Sequence, residues 1–284
     1  MDKKYLDEIS DYYERSGWLY KTFWYGKKSL GLHFGYWDSE TKSHEEAIVN
    51  QYKHVLNSAK IMPGMRVLDA GCGVGGGAIY IAKSVATEVV GITISKSQVK
   101  LAKMYAKRTG VGHLTDFVLG DYTRMPFPNN YFDCVYAVES VCHATPKRAF
   151  LKEAFRVLKP GGCLVINDGY RKREARDLNE KAVIARFCKA FRLRELVSVR
   201  VMTKEIRRAG FKNIKVTDKT EAVLPSLKKI QRLLFIFSVP IYLADKLPLG
   251  IFSIIRDNAT ALRMTLKSVN LGLTGHYSHT AVKL

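Results

Sequence analysis

Three groups of residues in this sequence have types and spacing suited to chemistry. Asp69 closes the apolar run Val67-Leu68 and is followed by Ala70-Gly71-Cys72-Gly73-Val74-Gly75-Gly76-Gly77. Glycines there let the backbone take positive φ and let a ligand lie against it, and the acid can hold a cation or neutral donors. Gly120-Asp121-Tyr122 repeats the theme of an acid just past an apolar run. Glu139-Ser140-Val141-Cys142-His143 puts a carboxylate and an imidazole on one short segment. Such a pair can stabilise developing positive charge and accept a proton. His33 and Tyr36, within Gly31-Leu32-His33-Phe34-Gly35-Tyr36-Trp37, are candidates to form the front wall of a site.

The glycine-rich stretch reads as a nucleotide cradle. A P-loop would end in Gly-Lys-Ser/Thr, which is absent. Gly71, Gly73 and Gly76 give the G-x-G-x-x-G spacing of a dinucleotide site. The acid ahead of the first glycine points elsewhere, to a ligand with an ammonium group and no pyrophosphate, which describes S-adenosylmethionine. Such a ligand needs acceptors for its ribose, and Thr93 and Gln98 are the side chains available near Gly91-Ile92-Thr93-Ile94-Ser95. Its adenine amine needs an acceptor, and Asp121, beside Tyr122, is well placed. Aromatic faces near a sulfonium add cation–π attraction.

These residues must be carried by strands and helices. Arg66–Asp69 is predicted as a strand, residues 76–83 as a helix, 88–92 as a strand and 95–109 as a helix capped by Ser95. Strands follow at 116–119, 132–138 and 163–168, with a helix over 148–158 stopping at Pro160-Gly161-Gly162. The strands lack polar alternation and alternate with helices, which predicts a parallel sheet covered on both faces. Asp69, Thr93, Asp121 and Glu139 then fall at carboxyl ends of strands and share one rim, where such sheets bind ligands.

Around this core, residues 1–45 form an aromatic-rich cap, and a helix runs over 45–59. The basic stretch 171–200 reads as a helical lid. A helix capped by Thr203 is expected over 203–210, then a strand at 214–216 and a last strand over 277–283. Residues 221–270 read as an apolar helical insertion. Its runs 233–244 and 249–255 are too short to span a bilayer, which takes about 20 apolar residues. They suit either a buried helix pair or an apolar surface that admits a lipid, with peripheral membrane association.

The 284 residues can bury one large core. Forty-six Lys and Arg against 26 Asp and Glu give a net charge of +20, which favours anionic partners such as nucleic acid or acidic lipid. The five cysteines are scattered with no C-x-x-C, which argues for reduced thiols in a cytoplasmic setting and against a metal. No secretory signal opens the sequence.

The ordered set Leu68-Asp69-Ala70-Gly71-Cys72-Gly73, Gly120-Asp121, Met125-Pro126-Phe127, Phe132-Asp133 and Arg156-Val157-Leu158-Lys159-Pro160-Gly161-Gly162 resembles the class I S-adenosylmethionine-dependent methyltransferases across roughly residues 46–220. Val135 to Ala144, Gly71-Cys72-Gly73-Val74-Gly75-Gly76 and the aromatic Trp24-Tyr25-Gly26 and His33-Phe34 are similar to sterol C-24 methyltransferases. Residues 91–95 are closer to tocopherol methyltransferases and mycolic acid cyclopropane synthases, where a Thr and a following Gln face the ribose. The C-terminal third does not closely match the plant or fungal sterol enzymes. The resemblance implies a Rossmann-like, doubly wound α/β fold with a mostly parallel seven-stranded sheet and helical lid insertions. It implies S-adenosyl-L-methionine as cofactor, held by Asp69, Gly71, Cys72, Gly73, Thr93, Gln98, Asp121 and Tyr122, and a hydrophobic small-molecule or lipid acceptor.

Alkene methylation fits these residues. The acceptor carbon becomes a cation, which aromatic faces and a buried carboxylate stabilise. Glu139 is the first candidate, as cation partner or base, with a cofactor-binding role as its alternative. His143 is a second proton acceptor, and His33 and Tyr36 complete the catalytic set. O- or N-methylation of a phenol or amine is the alternative reaction. A nucleic-acid methyltransferase is disfavoured, because Glu139-Ser140-Val141-Cys142 stands where Asn/Asp-Pro-Pro-Tyr would be expected.

Overall fold

The computed structural model describes residues 1–23, 29–236 and 251–284. Strands β1 (Arg66–Ala70), β2 (Glu88–Thr93), β3 (Thr115–Leu119), β4 (Phe132–Val138), β5 (Leu158–Arg171), β6 (Lys212–Asp218) and β7 (Thr274–Val282) form one sheet in the order β3-β2-β1-β4-β5-β7-β6. The five strands β3, β2, β1, β4 and β5 pair in parallel, whereas β7 runs antiparallel to both β5 and β6. The chain builds one half outward from β1 to β3 and crosses back to β4. The switch point therefore lies between β1 and β4, with Asp69 in register with Tyr136.

Burial explains why these strands are apolar on both sides. On one face Leu68, Val135, Ala137 and Ile166 meet Phe150 and Leu151 of α5 (Lys147–Val157) and Met202 and Ile206 of α7 (Val199–Arg208). On the other, Val67, Tyr136 and Val165 meet Val55 of α2 (His44–Ser58), Ala78 and Ile81 of α3 (Gly76–Val85) and Ala102 of α4 (Lys96–Arg108). Phe150 is fully buried, so truncating it to alanine would cost about 3–5 kcal/mol. Ser95 caps α4 as expected, its hydroxyl accepting from the Gln98 N–H.

The largest differences from the sequence reading are at α7 and β5. Helix α7 begins at Val199 under a cap from Ser198, whose hydroxyl accepts from the Val201 N–H. Thr203, expected as the cap, lies inside the helix and donates to the Val199 carbonyl at 2.7 Å. A threonine hydroxyl can satisfy itself on the carbonyl four residues back, so the same side chain suits both positions. Strand β5 starts at Leu158, before the Pro160-Gly161-Gly162 stop, and runs on to Arg171.

The caps stand over the carboxyl ends of the strands. Helix α1 (Lys3–Phe23) reaches across the rim, with the Tyr5 hydroxyl donating to the Arg192 carbonyl at 2.9 Å. The basic stretch contributes one helix, α6 (Leu178–Ala190), whose entry is pinned by a two-pronged Arg173–Glu180 ion pair. Helices α8 (Thr220–Ile236) and α9 (Ile251–Asn270) pack together, and α9 also packs on α6. Residues 271–284, expected as a terminal strand, lead into β7, which is wedged between β5 and β6 inside the sheet. Among the described residues no helix is long and apolar enough to cross a membrane. The Trp24-Tyr25-Gly26 motif and most of the apolar stretch 233–255 lie outside the described residues.

Candidate active site

Above the switch point the strand ends open into a cavity lined by Asp69, Gly71, Cys72, Gly73, Thr93, Gln98 and Tyr122, together with His33, Glu139 and His143. Gly71 has φ +90°, and a Cβ there would stand 2.4 Å from the Ser140 Cβ. A glycine is therefore required for the loop to meet the β4 turn. Gly73 has φ +54° and only Leu32 within 4 Å of a built Cβ. Its bare backbone thus faces open cavity, which a side chain would begin to fill.

Asp69 is buried, and its carboxylate accepts a 2.6 Å hydrogen bond from the Tyr136 hydroxyl. Burial pushes its carboxyl up to about 7, against the opposing pull of Tyr136 and the Ala78 backbone. A cation brought into the cavity would recover the ionised form. Thr93 and Gln98 also meet: the Thr93 hydroxyl donates to Gln98 Oε1 at 2.7 Å, and both are buried at the end of β2. Tyr122 donates to the Ser140 carbonyl and Ser140 to the Ala70 carbonyl, which ties the third and fourth strand ends to the glycine loop. Asp121 stands just outside the lining. Its oxygens are taken by the Thr123 N–H and hydroxyl and by the Met1 ammonium at 3.1 Å, and Met1 itself lines the cavity.

A second cavity adjoins the first. Tyr12, Phe34, Tyr170, Phe187, Phe191, Leu193, Val223 and Leu227 give it an apolar, aromatic wall drawn from α1, β5, α6, α8 and the intervening loops. Tyr13, Leu32, Glu139 and His143 line both cavities. Glu139 thus stands on the partition. Its Oε1 accepts from the Phe34 N–H at 3.0 Å and lies 3.1 Å from His276 Nε2. Its φ of +48° is left-handed, which turns the carboxylate off the line of β4.

His143 occupies a single turn of 3-10 helix, and its Nε2 lies 3.1 Å from the Tyr13 hydroxyl. Burial first, then the charge of Lys147, pulls its imidazole down to about 4, so it is neutral near pH 7 and a weak base. Burial raises the Tyr13 phenol well above its usual value. Asp168, three residues short of the end of β5, lines the apolar cavity and accepts from the Cys142 and Gly169 N–H groups. Burial pushes it up to about 6.

His33 lines the first cavity, its Nδ1 2.7 Å from the Phe34 carbonyl, and burial lowers its pKa. Tyr36, expected at the front wall, lines neither cavity. It is buried behind Glu139, its hydroxyl 3.3 Å from His276 Nδ1. Gly31 and Gly35 press this segment onto α2, and the Tyr36 N–H bonds the Ala47 carbonyl at 2.8 Å, which draws the ring away from the cavities. His276, Tyr13, Tyr136 and Asp168 were missed from sequence. Asp168 alone carried a local signal, since it closes the predicted strand 163–168 as Asp69 closes the first; that Tyr136 lies opposite Asp69 shows only in the strand register.

The profile of a family described as "Methyltransferase domain" matches residues 68–166. An O-methyltransferase of Penicillium expansum is 35% identical over 200 residues, covering 69% of this chain and 71% of that protein. The chain belongs to the class I S-adenosylmethionine-dependent methyltransferases. Within the family, a sterol 24-C-methyltransferase of Gibberella zeae is 39% identical over 158 residues, 56% of this chain and 40% of that protein. The chain spans about 40% to half the length of the sterol methyltransferases it matches. Among solved structures, the 4+2 cyclase SpnF superposes with a TM-score of 0.79 at 25% identity, covering 97% of this chain and 94% of that one. A geranyl diphosphate C-methyltransferase from Streptomyces coelicolor superposes with a TM-score of 0.75 at 16% identity, covering 99% and 98%, and shows the shared fold. The seven-stranded, mostly parallel sheet is that of these methyltransferase-like structures.

Proposed function

We propose that this chain transfers a methyl group from S-adenosylmethionine to a carbon–carbon double bond of a sterol or other isoprenoid lipid. One observation carries the reading: Glu139 stands on the partition between the glycine-lined cavity and an aromatic, apolar chamber. The first cavity fits the cofactor. It offers bare backbone at Gly73, a buried carboxyl at Asp69 that a cation would ionise, and the Thr93–Gln98 pair for a diol. When bound, the cofactor supplies an electrophilic methyl group on a sulfonium. The names of the sterol relatives support an isoprenoid acceptor.

The chain's own residues then have separable tasks. Phe187, Phe191 and Leu193 exclude water from the chamber, so a positive carbon is not captured as an alcohol. The Glu139 carboxylate faces that carbon, stabilises the charge and then accepts the proton lost from an adjacent carbon, whose C–H electron pair restores a double bond in the methylated product. Phe34 N–H and His276 hold the carboxylate in place, and Tyr36 orients His276. Tyr13 and His143 close the partition as a neutral pair. Asp121, expected at the adenine amine, sits just outside the lining of the first cavity and anchors the segment that carries Tyr122.

Methyl-labelled S-adenosylmethionine, incubated with the chain and a panel of sterols, linear terpenes, prenyl diphosphates and phenols, tests this by mass spectrometry. Label on carbon is the expected result. A second reading, O- or N-methylation of a phenol or amine, is favoured by the O-methyltransferase relative, which matches more of this chain than the sterol enzyme of Gibberella zeae does. Label on oxygen or nitrogen would establish it. The net charge of +20 and the apolar stretch 233–255 further suit a peripheral membrane position from which a lipid acceptor is drawn. Sedimentation with anionic but not neutral vesicles is the expected outcome, and equal recovery in both supernatants would refute it.

A further inference from the structure

Helix α9 faces two ways. Its Thr265 and Val269 line the apolar chamber, while Arg263, Leu266 and Lys267 line a groove shared with α8. Leu262 and Leu266 give that groove an apolar floor, and Leu271, 40% exposed, extends it past the end of the helix. Gln231 of α8 closes the other side. Arg263 and Lys267 are exposed, and among the described residues no acid lines the groove.

Charge sets this groove apart from the basic surface beside it. Arg171, Lys172 and Arg173 are each matched to an acid, in turn Glu174, Asp218 and Glu180. Neither Arg263 nor Lys267 has an ion pair with a described residue. They stand one turn apart on one helical face, where like charges repel. Lys228, exposed one turn before Gln231, adds a third cation on α8. An anion seated between Arg263 and Lys267 would relieve the repulsion, and an alkyl chain joined to it would have the three leucines to lie on.

A small soluble anion would use the cations and leave the leucines bare. A nucleic-acid strand asks for stacking aromatics along a cationic track, and among the described residues no aromatic lines the groove. We propose that the groove between α8 and α9 binds the headgroup of an anionic phospholipid, with the start of its acyl chain against Leu262, Leu266 and Leu271. This deepens the peripheral membrane position proposed above and rests on that reading. Only the thickness of α9, about 10 Å, separates the groove from the chamber. A bilayer held by the groove therefore lies against the wall of the chamber that takes the acceptor.

Two assays on the full chain test the groove and the membrane position separately. Calorimetry with monomeric dihexanoyl phosphatidylserine reads the groove, and sedimentation with phosphatidylserine vesicles reads the membrane position. The natural chain is expected to bind the short-chain lipid more tightly than glycerophosphoserine, the same headgroup without chains. Arg263→Gln combined with Lys267→Gln is expected to weaken the short-chain lipid by at least about 10-fold. The same pair should weaken vesicle binding by about 25-fold, about 5-fold for each cation at an anionic surface. Lys204→Gln with Arg207→Gln removes equal charge from the exposed face of α7 and should change either value by less than about 2-fold. All four side chains are exposed, so each variant should keep its Tm within about 2 °C. Lipid binding unaffected by the Arg263 and Lys267 changes, an equal loss in the α7 variant, or no preference over glycerophosphoserine would overturn the assignment. So would a groove that takes an RNA oligonucleotide and not the lipid. If vesicles bind the Arg263 and Lys267 variant as well as the natural chain, the membrane position stands and the groove assignment fails. If the short-chain lipid depends on both cations but vesicles are not bound, the groove assignment stands and the membrane position fails.

Discussion

Replacing Glu139 by glutamine removes one charge and little else. The glutamine oxygen can still accept from the Phe34 N–H, and the neighbouring His276 can present either ring nitrogen state to it. The side chain is only 18% exposed, so solvent screens it weakly. A unit charge about 5 Å from a positive carbon, at an effective dielectric constant of about 20, stabilises it by about 3 kcal/mol. The same charge does little for the neutral double bond before reaction. The loss therefore falls on the transition state, and kcat should drop by roughly 10²-fold with KM nearly unchanged. Single-turnover transfer of labelled methyl, with cofactor binding measured on the same preparation by calorimetry, reads both quantities. A variant that binds S-adenosylhomocysteine poorly and turns over normally at saturation would place Glu139 in the cofactor site. A variant that keeps more than about a tenth of the activity with normal binding would sink the electrostatic role altogether.

Gly73→Ala should weaken S-adenosylhomocysteine binding by at least about 10-fold, because its methyl group enters the cavity and its φ of +54° is strained for alanine; calorimetry on the folded variant decides, and full affinity would make the loop a mere turn. Tyr13→Phe deletes the contact with His143 and should lower kcat by about 10-fold by loosening the partition, with a modest drop in Tm because a buried imidazole nitrogen loses its partner; an unchanged kcat would make the pair purely structural. Asp69 is raised to about 7 in the ligand-free chain, from an ordinary value of 3.8, so ionising it weighs against the fold as pH rises through that window. A cationic ligand reverses the sign: affinity for S-adenosylmethionine should climb by up to about 10-fold per pH unit below 7 and level off above it. Asp69→Asn should flatten that profile, and an equally steep profile in the variant would show that another group titrates.

The core was legible because its signals are local. Buried parallel strands read as unbroken apolar runs, and the glycine loop marks the turn after the first of them. Observed ends of β1, β2, β3, β4, α3 and α4 fall within a residue or two of the expected ones. The partition between the cavities was only half legible. Glu139 and His143 lie in one short segment, but the partners that fix them, Tyr13 and His276, come from 130 and 137 residues away. No periodicity in α1 singles out Tyr13, and nothing in the β7 sequence shows that it inserts between β5 and β6. Tyr36 failed for the converse reason. It sits in the right loop, but two glycines press that loop onto α2 and rotate the ring out of the site.

The backbone at Glu139 bears most directly on function. A glutamate at φ +48° pays about 1–2 kcal/mol for the left-handed conformation, which a glycine would avoid. The strain is held by a hydrogen bond from its own N–H to the Asn167 carbonyl and by the two contacts on its carboxylate. Lys60 and Ala86 carry the same cost just past the ends of helices, so what sets Glu139 apart is the two contacts on its carboxylate. An extended backbone would continue the side chain along the sheet, toward the face occupied by α5 or α3. The left-handed turn instead lays the carboxylate between the two cavities, which is where the proposed reaction needs a negative charge.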